Sequence, residues 1–120
     1  MKKIVFIVDD NDTNLLIAKN VLDDIYKTYA MPSAARMFKL AEKIKPDLIL
    51  LDVIMPEMNG FEALQKMKSD EKMRSFPVIF LTGMDDEASI KHGLEMGALD
   101  YIKKPFSPAD LVQRIEAHIK

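Results

Sequence analysis

No cysteine occurs in the 120 residues, which removes disulfides, thiolate catalysis and cysteine-ligated zinc together and suits a reducing cytoplasm. A dominant charge sign is also missing. The 17 basic and 19 acidic residues leave a formal net charge of −2, and their mixing along the chain argues against a dedicated nucleic-acid or anionic-membrane surface. No apolar run reaches transmembrane length. Met1-Lys2-Lys3 ahead of apolar residues starts like a signal peptide, but the run stops at Asp9 with no small-residue cleavage site after it. Linkers, low-complexity tracts and internal repeats are absent too. What remains is an ordinary globular composition, 48% apolar and 30% charged. It predicts one soluble, cytoplasmic domain over residues 1–120, with a core that needs no cross-links.

A short apolar run, a polar turn and a helical stretch recur along the whole chain. Strands are expected over 4–8, 27–31, 48–51, 78–81 and 99–102, the second being the weakest. The runs beginning at Leu48 and Val78 are continuously apolar, as strands buried on both faces should be. Between them, Leu15, Ala18, Leu22 and Ile25 share one helical face, and Ala34, Met37, Phe38, Ala41 and Ile44 share another. Phe61, Leu64 and Met67 mark a third helix, and a less periodic fourth spans 86–96. The last helix starts most clearly, with Ser107 as N-cap, Pro108 at the first helical position and Asp110 three residues after the cap. Such alternation implies a parallel sheet with right-handed crossovers and helices on both faces. Ligands of open α/β sheets bind beyond the carboxyl ends of the strands.

The residues at those ends form a complementary set. Asp9, Asp10 and Asp12 follow the first strand with no basic residue among them, Asp52 ends the third, Thr82 the fourth, and Lys103-Lys104 the fifth. Like charges repel and burial disfavours them, so a cluster of acids at the end of a buried strand needs a reason. Asp12 reads as the N-cap of the first helix, but two further adjacent acids exceed what capping requires. Carboxylates with no histidine or cysteine nearby suit Mg²⁺, and Mg²⁺ draws phosphoryl groups. A lysine and a hydroxyl are natural holders of a phosphoryl group.

These residues make the whole chain resemble the receiver domain of two-component response regulators. The resemblance is carried by Asp9-Asp10, by "LLDVIMPEMNGFE" around Asp52, by "FLTG" at Thr82 and by "ALDYIKKPF" at Lys104. It implies a doubly wound (βα)5, flavodoxin-like fold with a five-stranded parallel sheet of order 2-1-3-4-5. It further implies a switch rather than an enzyme. Asp52 would accept a phosphoryl group from a histidine kinase or phosphotransfer protein. Asp10 and Asp52 would ligate Mg²⁺ directly, Asp9 mostly through water, and Ile54 through its backbone carbonyl. Thr82 and Lys104 would hold phosphoryl oxygens, and the Lys104–Pro105 bond would be cis. Thr82 and the aromatic Tyr101 would then move together. That motion would alter the surface of the fourth helix, fifth strand and fifth helix, toward an output domain, a downstream protein or a second copy. Neither nucleic acid nor membrane is expected as a direct partner of this domain.

Ile54 and Met84, each two residues beyond a site residue, are apolar and cannot orient an attacking water. Slow self-dephosphorylation is therefore expected. His92 and His118, without acidic partners at ligand spacing, are expected to face solvent, and Met55 and Met58 to be available to a partner. The rival readings fail on particular residues. A calcium loop starting at Asp10 would need glycine and a final glutamate where Leu15 and Val21 stand. A haloacid-dehalogenase-type phosphohydrolase would need Thr or Val at Asn14, or a second acid at Ile54 for general acid/base work. A flavodoxin-like electron carrier would place hydroxyls, not acids, against its flavin phosphate. A receiver fold kept only as a constitutive interaction module is disfavoured by the intact acid set and lysine. The chain ends at Lys120, just after the fifth helix, which suits either a free-standing regulator or the receiver part of a longer one.

Overall fold

The computed structural model describes residues 2–83 and 87–119. Five strands, β1 (Ile4–Val8), β2 (Lys27–Met31), β3 (Leu48–Asp52), β4 (Val78–Thr82) and β5 (Asp100–Lys103), alternate with five helices. The helices are α1 (Asp12–Leu22), α2 (Ala34–Ala41), α3 (Gly60–Lys68), α4 (Glu87–Glu95) and α5 (Pro108–His118). All neighbouring strands pair in parallel, in the order β2-β1-β3-β4-β5. This is the doubly wound arrangement that the alternation and the resemblance imply. β3 and β4 each run one residue past the apolar stretch, and β5 lies one residue later than its pattern, so Asp52 and Thr82 are the last residues of their strands.

Side chains alternate across a strand, and here both alternations are apolar because both faces are covered. Val5, Ile7, Leu48, Leu50, Ile79, Leu81 and Ile102 meet Leu15, Ala18 and Leu22 of α1 and Leu111 and Ile115 of α5. Phe6, Val8, Met31, Ile49, Leu51, Val78 and Phe80 meet Ala34 and Met37 of α2 and Ala63, Leu64 and Met67 of α3. Burying each large apolar side chain contributes roughly 1.5–3 kcal/mol. α4 joins the second face through Gly93, where a β-carbon would lie 2.6 Å from the Phe80 ring. Phe61 packs edge-on against Phe80 and His92 there.

Local chemistry sets the helix starts. Ser107 Oγ accepts from Asp110 N at 3.0 Å, with Pro108 opening α5 as its sequence predicts. Asn59 and Glu62 form a capping box at α3. At α1 the N-cap is Asn11, not Asp12: Asn11 Oδ1 accepts from Asn14 N at 3.0 Å, and Asp12 is the first helical residue. There its charge still favours the helix N-terminus. Ile25 lies beyond α1 and is exposed, so the shared face ends at Leu22. His118 also departs from expectation, with Nε2 3.0 Å from Asp100 Oδ2, because α5 folds back along β5. Met55 and Met58 pack into or against the core rather than standing free.

Candidate functional site

The carboxyl ends of β1, β3, β4 and β5 form one rim, tied together by backbone. Asp9 N donates to Met31 O (3.1 Å), Val53 N to Leu81 O (3.1 Å), and Lys104 N to Thr82 O (2.8 Å). These bonds continue the ladder one residue past the strands, placing Asp9, Asp52, Thr82 and Lys104 side by side. Asp9, Asp52 and Thr82 are buried, whereas Asp10 is exposed. One carboxylate oxygen each from Asp9, Asp10 and Asp52 lies within 4.8 Å of the others.

Gly60 supports this end of β3. Its N–H donates to Val53 O at 2.8 Å, and a β-carbon there would run into the Asp52 carbonyl oxygen and stand 2.9 Å from Val53 Cα. Only glycine allows α3 to start this close to the strand exit. The turn before it holds Glu57 at φ 68°.

Lys104 is the cation of the rim. Its Nζ stands 2.7 Å from Asp9 Oδ2 and 3.0 Å from Asp52 Oδ1. Burial pushes this ammonium down, but the two carboxylates outweigh burial and hold it above its ordinary value. Asp52 behaves oppositely. Burial raises it most, Lys104 pulls it back, the Asp9 charge raises it again, and the carboxyl ends up at about 7. Two unit charges 4.8 Å apart repel by roughly 3.5 kcal/mol at an effective dielectric constant of ~20, which shows the scale of the strain.

Among the described residues, the Lys104 ammonium paired with Asp9 and Asp52, beside Asp10, leaves the three-carboxylate cluster a formal excess of two negative charges, the charge of one divalent cation. Asp9 Oδ1 accepts from Asn11 N at 2.9 Å. Asp9 Oδ2 is buried and ion-paired with Lys104 at 2.7 Å, with no hydrogen-bond partner among the described residues. Three converging carboxylate oxygens, two of the residues buried, fit a hard divalent ion such as Mg²⁺.

The remaining expected residues fall around this centre. Ile54 donates its backbone N–H to Asp52 Oδ1 at 3.3 Å, and its side chain is 64% exposed. Tyr101 is half-buried on β5, beside Phe80 in the sheet register, with the Arg114 guanidinium 5.6 Å from its ring centre. The Lys104–Pro105 bond is cis. Met84 lies outside the described residues. A feature that sequence spacing did not reveal is the ion cluster behind Tyr101: Asp100 Oδ1 accepts from Arg114 Nη1 at 2.8 Å and from Tyr101 N at 2.8 Å. Burial raises the Asp100 carboxyl, but the Tyr101 amide, His118 and Arg114 outweigh it and hold the group below its ordinary range.

Residues 5–116 match the family model described as the response regulator receiver domain. The alkaline phosphatase synthesis transcriptional regulatory protein PhoP of Bacillus subtilis is 36% identical over all of this chain and 50% of its own length. A probable cyclic di-GMP phosphodiesterase of Vibrio cholerae is 34% identical over 97% of this chain and 26% of its own length. The chain thus spans half or less of these relatives. The crystal structure of the chemotaxis protein CheY4 of Vibrio cholerae superposes with a TM-score of 0.93 at 25% identity, covering 99% of this chain and 100% of that one. No helix among the described residues is long and apolar enough to cross a membrane. Matched across nearly its whole length, with the acid cluster and lysine together at the strand ends, the chain belongs to the receiver domain family of response regulators.

Proposed function

We propose that the chain is a phosphorylation-dependent switch in which Asp52 accepts a phosphoryl group from the phosphohistidine of a partner kinase or phosphotransfer protein. The observation that carries this reading is the buried Asp52, one of three converging carboxylates, with the Lys104 ammonium 3.0 Å away. Asp9, Asp10, Asp52 and the backbone carbonyl of Ile54 are the groups that would hold Mg²⁺. Such an ion would offset the excess negative charge, favour ionised Asp52 and supply electrostatic stabilisation to a phosphoryl group at the site.

The chain's own residues then account for the chemistry. An Asp52 oxygen forms a bond to phosphorus as the bond from phosphorus to imidazole nitrogen breaks. The nitrogen keeps the electron pair, leaving an acyl phosphate and a histidine. Lys104, already 3.0 Å from Asp52 Oδ1, donates to the phosphoryl oxygens, as does the Thr82 hydroxyl at the end of β4. The added acceptors draw Thr82 toward the site, and Tyr101 turns inward behind it. The α4-β5-α5 face shifts its population toward the state that an output domain, a downstream protein or a second copy recognises. The Ile54 side chain presents no hydrogen-bonding group to an attacking water, so the acyl phosphate decays slowly.

Intact mass after incubation with Mg²⁺ and acetyl phosphate, beside Asp52→Asn, tests the proposal. The expected result is a single labile phosphoryl adduct that needs Mg²⁺ and is absent from the variant. No adduct from any donor, with Mg²⁺ binding demonstrated, would instead favour a constitutive interaction module. Turnover of donor without an adduct, persisting in the variant, would favour a phosphohydrolase.

A further inference from the structure

Away from the rim, β2 is an outer strand of the sheet, paired only with β1. Lys27 N donates to Lys3 O, and Asp9 N to Met31 O. With the two-residue alternation of a strand, the backbone groups of 27, 29 and 31 therefore face β1, and those of Thr28 and Ala30 face outward. Lys19 Nζ from α1 reaches the Thr28 carbonyl at 3.4 Å. Ala30, exposed, offers its N–H and C=O at the open side.

Beside this edge lies a groove of about 330 Å³ between β2 and α2. Its floor is apolar, formed by Met31, Pro32 and Leu40, and its rim carries Arg36, Lys39 and Lys43, with no acidic residue in the lining. All three cations are exposed. Their spacing of three and four residues puts them on one side of α2 and its C-terminal extension. A chain whose net charge is −2 has thus concentrated cations along one strand edge.

We propose that this groove docks an extended acidic segment of a partner protein, which adds to β2 as a further strand. Three features select that occupant. First, Ala30 presents one backbone donor and one acceptor, the pair that another main chain satisfies. Second, the rim runs from Arg36 to Lys43, along α2 and the turn after it, about 10 Å at helical rise. Carboxylates at alternate positions of an extended strand recur about every 6.7 Å and reach along that length, whereas a compact anion meets only part of it. Third, a second copy of this edge would bring like-charged rims together, which disfavours self-pairing. Those acidic side chains share one face of the added strand and lie over the apolar floor toward α2, while the residues between them turn to the opposite face.

The test uses the whole chain, ¹⁵N-labelled, titrated with a hexapeptide alternating glutamate and valine. The expected result is salt-sensitive binding that shifts the Ala30 and α2 amides and slows hydrogen exchange at Ala30. Arg36→Glu combined with Lys43→Glu weakens it by about tenfold or more. Ala30→Pro removes the outward N–H with the cations kept, at an edge position where proline is tolerated, and also weakens binding, with folding of each variant checked by circular dichroism. An absence of shifts would overturn the proposal, as would equal binding of a lysine–valine peptide. Equal shifts from pyrophosphate without protection of Ala30 would assign the groove to a small anion instead. Concentration-dependent self-association through this edge would assign it to a second copy.

Discussion

Asp52→Asn should stabilise the fold when no metal is bound. The carboxyl rises from 3.8 to about 7 on folding, about three pH units, and at 1.36 kcal/mol per unit the charged form costs the folded state at most about 4 kcal/mol. That figure already includes the attraction of Lys104 at 3.0 Å; asparagine removes the cost, and Lys104 retains Asp9. Solvent screening reduces the bound, so the net gain is about 2 kcal/mol, or roughly 6–8 °C in Tm for a domain of this size. The sign follows from the direction of the shift. A carboxyl raised on folding binds its proton more tightly in the native state, so the cost is absent below 3.8, develops between 3.8 and about 7, and is complete above. Urea and thermal unfolding followed by circular dichroism, with chelator and across pH, should show variant and wild type converging in acid and separating above neutrality. Millimolar Mg²⁺ should then raise the Tm of the wild type more than that of the variant. A variant no more stable than wild type above neutral pH, or a gain that persists undiminished in acid, would refute the electrostatic account.

Ile54→Asn gives the attacking water a polar neighbour and should speed loss of the phosphoryl adduct severalfold, read from its decay by intact mass; an unchanged lifetime would exclude this position as a determinant. Gly60→Ala forces a β-carbon onto the Asp52 carbonyl and should destabilise by about 1–3 kcal/mol while weakening Mg²⁺ binding, as measured by urea unfolding and metal titration. Asp100→Asn breaks the pairing with Arg114 and should cost about 1 kcal/mol near neutrality. Because the Asp100 carboxyl is held below its ordinary 3.8, that stability is present above 3.8 and disappears as pH falls through the native value, so wild type and variant should converge in acid unfolding curves.

The strands and the rim were legible because one physical signal carried both. Continuous apolar runs such as 48–51 announce a strand covered on two faces, and the first polar residue after such a run marks its exit. Asp52, Thr82 and Lys104 could be placed beside one another from topology alone. The N-cap of α1 was ambiguous by one residue, since Asn11 and Asp12 are both good caps and only backbone geometry chooses between them. Asp100, Arg114 and His118 gave no signal, because their contacts span 14 and 18 residues and depend on how α5 lies along β5. The close approach at Gly60 was equally invisible: an Asn-Gly pair says that a turn is coming, not which carbonyl it will press against.

The amides that follow β1, β3 and β5 are each anchored to a carbonyl in the last two residues of an adjacent strand, and no side chain takes part. The spacing of the acids and the lysine is therefore a property of main chain that mutation on the outer faces of the helices, away from Gly60, barely reaches. Residues on the outer faces of α2, α4 and α5 are free to drift while the rim keeps its dimensions. The geometry of the rim and the make-up of the surface are inherited separately in such a molecule, one in its backbone and the other in its outer coat.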